Sequence, residues 1–591
     1  MQQAADWDMA RLAAVARGDE PADLAIRGGR VLSVHTREWL DADLLIAEGR
    51  VAGVVERGEG DANETHDASG RFVTPGFIDA HVHIESSKLT VEGFATAVVP
   101  RGTTAVVTEP HEIGNVLGVP GTTWFMDSAD GVPLSCWFMV PSCVPASHFE
   151  SAGATLGLAE MEQLLEHPRA LGVGELMNFP GIIAGDPDEL AKVRARGSDH
   201  ADGHAPGVTG RALDAYAAAG IRSDHESTTV AEALAKRRRG MWVLLREASN
   251  ARNLRDLLPL VRDHGPDFCA FCTDDREPDH LLGEGHIDHL LRVAVEFGID
   301  PIHALLLATL HPALAHGLDG IGSLTPGARA DVVVLPDLSS FRPEAVWVAG
   351  ALVARDGELC TPITRTAPVE MRDTVHVAPL DDDSFHVPAP GDTATAATRV
   401  VGARSGQLLT DHLIEQLPVR DGVVMPAPER DIARLAVVER HVASGRIGNG
   451  FVHGFGLRGG AFASTVAHDA HNVVVVGTDD PSMRACVERL AEIGGGIVVA
   501  RDGAILGELA LPVAGLMSDQ PPHLVAAKMD ELHGMLEQLG VEVEAPFMIL
   551  SFLALSVIPS LKLTDRGYVD VDRFELVSAL ADADVSHMSI Q

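Results

Sequence analysis

The sequence predicts an α/β protein: a (β/α)8 barrel inserted in a small split β-sandwich domain, followed by a C-terminal mixed α/β domain. Three observations predict it. Eight times within residues 76–316 a polar or ionisable residue follows an apolar, strand-like run, at steps of about 21 to 32 residues, each long enough for a strand, a loop and a helix. Short strand-like runs flank that stretch on both sides, and a mixed texture returns beyond it.

The first runs are DLAIRGGRVLSV, ADLLIAEGRVAGVVERG and RFVTPG, which read as short strands separated by turns. ADVVVLPDL and AVWVAGALVARDG repeat that texture later, so residues 1–75 and 317–365 form one composite β-domain with the barrel, 76–316, between them. Within the barrel the eight marker positions are His83, His111, Cys143, Glu175, His204, His225, Glu247 and Asp274. Catalytic groups of such barrels come from the C-terminal ends of different strands, where these residues fall. Residues 366–591 form the last domain, with the polar, proline-containing passage APLDDDSFHVPAPGDTATA as its linker.

Composition narrows the function. A formal charge of −38 repels a phosphate backbone, so nucleic acid is not an expected partner. Six scattered cysteines build no disulfide framework and fit a reducing, cytoplasmic compartment; Cys269-x-x-Cys272 lacks a second pair and reads as strand. The N-terminus lacks the basic and apolar regions of a secretory signal. Residues 545–561 are too short and too interrupted for a membrane span and read as buried core, so no membrane partner is expected. GxSxG elbows and P-loops are absent, and proline does not precede the CxxC as the cytidine-deaminase type of zinc site requires.

The chemistry starts at His81-x-His83, whose alternate imidazoles lie on one side of an extended strand and can share a metal ion. Glu175, His204, His225 and Asp274 add two carboxylates and two imidazoles at later strand ends, a donor set suited to first-row divalent metals. Six ligands suit two ions sharing a bridging carboxylate.

In this order the residues resemble the binuclear barrels of the amidohydrolase superfamily. That resemblance implies His81, His83 and Asp274 on one ion, His204 and His225 on the other, and Glu175 between them, in the place where many relatives carry a carbamylated lysine. Within the superfamily the chain is similar over essentially its whole length to the bacterial adenine deaminase family. AHVHIESS, PHEIGNV, VPSCVPA, GELMNFPG, DGHAPG, SDHEST and FCTDDREPD carry the likeness in the barrel, and GFGLRGGAFASTVAHDAHNVVVVG and LPVAGLMSD carry it in the last domain. Glu109 departs from the family pattern, in which aspartate precedes PHE.

The family resemblance implies two divalent transition-metal ions, Mn or Fe(II) before Zn, and adenine and water as substrates of a purine-salvage aminohydrolase. Such ions acidify a shared water, which would attack C6 of adenine to give hypoxanthine and ammonia. Asp274 would relay the water proton to the leaving group, and Glu112 would donate to N1. Glu112 also reads as an ordinary helix-start acid, and His111 as a third ligand, a transition-state donor or a supporting residue. Glu85, Ser86 and Asp275 are expected at the substrate. His468, Asp469 and His471 in VAHDAHN are expected either to close over the barrel mouth, to hold an auxiliary metal, or to form an interdomain hydrogen-bond network. A homo-oligomer, a dimer first, is the expected assembly. Two other readings stay open: a binuclear amidohydrolase that opens a cyclic amide or imide, separable by ring opening in place of ammonia release, and a non-catalytic scaffold, separable by the absence of bound metal.

Overall fold

The computed structural model describes residues 7–195, 200–363, 367–389, 391 and 393–581. The boundary expected at 365/366 lies outside the described residues.

Eight parallel strands form the barrel: β1 (Phe77–Val82), β2 (Thr103–Thr108), β3 (Ser135–Val140), β4 (Ala170–Leu176), β5 (Ala201–Gly203), β6 (Ser223–Asp224), β7 (Trp242–Arg246) and β8 (Cys269–Cys272). The first five make one hydrogen-bonded sheet and the last three another. Arg222 N donates to the Ala201 carbonyl across the β5/β6 junction at 3.4 Å, and Asp274 N to the His81 carbonyl across the β8/β1 junction at 2.9 Å. Each marker residue lies at or just past the end of its strand, with His83 one residue beyond β1 and His225 one beyond β6. Helices such as Val91–Val98, Leu158–Leu165, Gly210–Ala218 and Leu254–His264 return the chain between strands. Cys269 and Cys272 are the two ends of β8, buried and unpaired.

The flanking strands meet in a ten-stranded sheet. Phe72–Pro75, just before the barrel, pairs with Val332–Leu335, just after it, with Thr74 opposite Val333. The long strand Glu38–Ala47 belongs to both halves of this domain: its first residues pair with Arg30–Ser33 and its last with Ala22–Arg27. Ile26, Leu44 and Ile46 of one half then pack with Val73, Val332 and Trp347 of the other. A helix that no periodicity announced, Met9–Arg17, is capped by Asp8 and packs Leu12 and Val15 against Ala25 and Leu45.

The C-terminal domain is built on a nine-stranded sheet, antiparallel except where Thr395–Gly402 runs parallel to Ile447–His453. The passage expected as a linker is packed into this domain: Phe385 and Val387 are buried in its cores, the Phe385 carbonyl accepts from the Arg434 guanidinium, and its last residues begin the strand Thr395–Gly402. Residues 545–561 are core, as expected, and Pro546–Phe552 is helical. Among the described residues no helix is long and apolar enough to cross a membrane.

The domain sits on the barrel mouth. Ser518 N donates to the Lys88 carbonyl, Ser151 N and Oγ both donate to Asp565, and Asn472 Nδ2 donates to the Ser151 carbonyl.

Candidate metal centre and substrate wall

All six candidate ligands converge at the barrel mouth. His83 Nε2 lies 3.1 Å from His81 Nε2 and 3.3 Å from both Glu175 Oε1 and Asp274 Oδ1. On the other side of Glu175, Oε2 lies 2.5 Å from His204 Nδ1 and 3.3 Å from His225 Nε2. The His81 and His225 rings stack at 4.2 Å. Glu175 therefore stands between two groups of imidazoles, and its two oxygens face different groups.

The chain holds these donors rigidly. His83 Nδ1 donates to the Glu109 carbonyl at 2.9 Å, which leaves Nε2 as its free donor atom. Asp274 takes a left-handed backbone, φ 55°, a conformation aspartate tolerates better than most residues, and its Oδ2 accepts from Arg246 Nη1 at 2.8 Å. Asp79 braces β1 against β8 by accepting from His81 N and Thr273 N, both at 3.1 Å.

The donor set fits divalent cations. Every member is buried, and the carboxylates outnumber the fixed cations that answer them, with Arg246 shared between Asp274 and Glu226. Burial opposes a charge on His83 and His225, yet Asp274 and Glu175 raise the first, and Glu175 the second, well above the ordinary imidazole value. Protons are drawn to where cations would neutralise the same carboxylates. Burial, with His225 and His83 beside it, lowers His81 to about 3, so that ring stays neutral as a ligand must be.

Residue types alone did not single out Glu226 and Arg246. Glu226 lies 3.4 Å from His225 Nε2 and 3.8 Å from His204 Nδ1, and the Arg246 guanidinium clamps it against the ligand shell. Glu226 follows His225 directly, in the SDHEST segment, which was the available signal. Glu109, the departure from pattern, accepts from Glu175 N at 2.6 Å through Oε2. Its longer arm is accommodated by Gly174, where a Cβ would stand 2.2 Å from the Glu109 carboxyl carbon.

Beyond the six candidate ligands a second group lines the mouth. Ser86 Oγ lies 2.6 Å from Glu112 Oε1 and 2.5 Å from Asp275 Oδ1. The single hydroxyl hydrogen can be donated to only one of them at a time. Burial and the neighbouring Asp274 charge raise Asp275, and burial together with Glu112 raises Glu85 to about 8. Glu112 is fully buried at the start of its helix and faces Ser86, not the loop N–H groups of an ordinary first-turn acid.

The loop of the C-terminal domain that carries His468 and Asp469 reaches this wall. His468 Nε2 is 3.9 Å from Asp275 Oδ1, and Asp469 Oδ1 is 3.6 Å from His111 Nε2. On its other edge, His111 Nδ1 is 3.6 Å from Glu175 Oε1. His471 turns into its own loop, accepting from Ala467 N through Nδ1 at 3.1 Å.

Comparison with known proteins agrees with this architecture. The Amidohydrolase family profile matches residues 72–353, and the profile of the Adenine deaminase C-terminal domain matches residues 407–575. An adenine deaminase of Nitratidesulfovibrio vulgaris is 46% identical over 570 residues, covering 95% of this chain and 97% of the relative. Adenine deaminases of Desulfatibacillum aliphaticivorans and Brucella anthropi are 44% and 43% identical, over 96% and 95% of this chain and 98% of each relative. With a profile match on the barrel, another on the domain that roofs it, and relatives alike from end to end, the chain belongs to the adenine deaminase family of metal-dependent amidohydrolases.

Proposed function

We propose that the protein hydrolyses adenine to hypoxanthine and ammonia in cytoplasmic purine salvage, using two divalent cations, manganese or ferrous iron before zinc. The observation that carries this reading is the convergence of His81, His83, Glu175, His204, His225 and Asp274 around Glu175, at the end of the barrel where the chemistry of this fold is done. Cations bound by these residues supply the acidification that makes water a nucleophile at neutral pH.

The rest falls to the side chains. Asp274 Oδ1, beside His83 and steadied through Oδ2 by Arg246, accepts the proton of the attacking water and returns it to the departing amine. The Ser86, Glu112 and Asp275 group holds a proton at the wall and offers it to a ring nitrogen, with Glu112 as the donor to N1. Glu85 bounds the purine on the same side. His468 and Asp469 cover the mouth, excluding water so that the charges beneath act in a low dielectric. Attack at C6 adds water, and loss of the amine leaves the carbonyl of hypoxanthine.

The test is ammonia release from adenine by the purified, metal-loaded protein, with Asp274→Asn and Glu175→Ala as controls. Turnover should fall at least about 1,000-fold in both. Rates near wild type in either control would remove the assigned roles, and failure of the metal-loaded wild type to release ammonia would remove the substrate.

A further inference from the structure

The barrel carries a second group of metal-type donors, at the opposite end from the mouth. His200 precedes β5, Asp202 is its middle residue, and His316 caps the helix Leu310–Ala315 that follows the barrel. Ala313, Leu318 and Ile321, on either side of His316, pack on Ile78, Ala105, Val107 and Met139 and so close the barrel floor. Ala201 faces the outer core, so its neighbour Asp202 faces the interior, below His204 by two strand residues or about 7 Å.

Three ligand atoms, one from each of His200, Asp202 and His316, lie within 4.8 Å of one another. Asp202 Oδ1 is fully used: it accepts from Ser223 Oγ at 2.6 Å and lies 2.8 Å from His200 Nε2. Asp202 Oδ2 is not: it is buried with no hydrogen-bond partner among the described residues. Among the described residues neither nitrogen of the His316 ring has a partner of normal geometry, although the Ala80 backbone lies close. Asp202 is 1% exposed and His316 3%. Buried polar atoms seldom stay unpaired, and here an unpaired carboxylate oxygen and an unpaired imidazole belong to one cluster of potential ligands. The His200 side chain, 14% exposed, connects that cluster to solvent.

We propose that His200, Asp202 and His316 form a structural site for one divalent first-row cation, zinc being the best match to two imidazoles and a carboxylate. The ion pairs the free Asp202 oxygen, takes a nitrogen from each ring, and ties the segment that floors the barrel to β5. This end of such barrels serves stability, not chemistry. The proposal stands independently of the reaction at the mouth, because none of its three residues belongs to the candidate centre there.

The experiment compares metal content and structure in the full-length protein. Wild type, His200→Ala and His316→Ala are equilibrated with zinc, desalted, and analysed by elemental mass spectrometry. Each variant should hold one equivalent per subunit less than wild type and release ammonia from adenine at the wild-type rate. Equal metal content in folded variants would overturn the site. Should the variants not fold, anomalous diffraction at the zinc edge from wild-type crystals decides: a peak among His200, Asp202 and His316 is expected, and none at saturating zinc would overturn it. Loss of ammonia release in folded variants would overturn the purely structural role, whereas failure of the wild type itself to release ammonia, with the zinc difference intact, would count against the reading of the mouth and leave this site standing.

Discussion

Glu226 and Arg246 form a charged pair set directly against the candidate metal ligands without being among them. The Arg246 guanidinium divides itself between Glu226 and Asp274, and both carboxylates abut the imidazoles. Glu226→Gln removes one of the two charges Arg246 answers and draws the guanidinium toward Asp274. Metal retention should weaken by roughly 10- to 100-fold, as outer-shell partners typically cost, and competition against a graded chelator measures it. At Gly174 the expected loss is steric: the Cβ of Gly174→Ala meets the Glu109 carboxyl, which must leave Glu175 N. Activity should drop by at least about tenfold and the melting temperature should fall with it, since a buried site is overpacked and Glu175 N loses its acceptor. A steady-state assay beside a melting curve checks both. The candidate ligands were legible because histidines and acids recur after successive apolar runs in one fixed order. Glu226, Arg246 and Asp79 were not, because a carboxylate or guanidinium in sequence looks the same whether it faces solvent or braces a metal ligand.

Among the elements, the segment after β3 shows how the two large domains are joined. Ser147 and Ser556 share a hydrogen bond at 2.6 Å, Thr564 Oγ1 donates to the Phe149 carbonyl, and Glu150 lies between them, accepting from Ser147 N and Ser556 Oγ at 3.2 Å. Burial and the Asp469 charge push the Glu150 carboxyl up to about 8. A carboxyl whose folded value exceeds its unfolded value binds more protons when folded. It therefore contributes stability that is complete below about 4.5 and lost as pH rises to about 8. Glu150→Gln keeps the shape and cannot ionise, so its melting temperature should equal that of wild type near pH 4.5 and exceed it above pH 8; parallel melting curves across that range check the sign. Barrel strands were readable because their apolar runs are continuous and bounded by loops. The helix Met9–Arg17 is two to three turns long with only Leu12 and Val15 buried, too weak a pattern to stand out. The passage around Phe385 reads as linker because two buried side chains among acids and prolines leave no periodicity.

In the whole molecule, the candidate metal centre is expected to couple folding to metal binding. The carboxylates, imidazoles and Arg246 at the mouth are buried together, and removing cations from such a set leaves negative charges without full compensation. Treatment with a strong chelator should abolish activity and lower the melting temperature by several degrees, both restored by manganese; a melting temperature unchanged by chelation would show that the ions contribute nothing to stability. The fold class was legible, because sandwich-like strands on either side of a βα repeat leave few arrangements. What no local pattern could convey was the seating of residues 468–469 over His111 and Asp275, since those contacts join positions about 190 and 360 residues apart.

The adjacency of Phe72–Pro75 and Val332–Leu335 has a consequence for biosynthesis. The earlier strand leaves the ribosome with one side already matched by Arg30–Ser33, while its other side waits for a mate roughly 250 residues downstream, on the order of 10–50 s at ordinary translation rates. Throughout that interval the nascent chain displays an open row of amide and carbonyl groups, the kind of border at which neighbouring polypeptides on a polysome stick together.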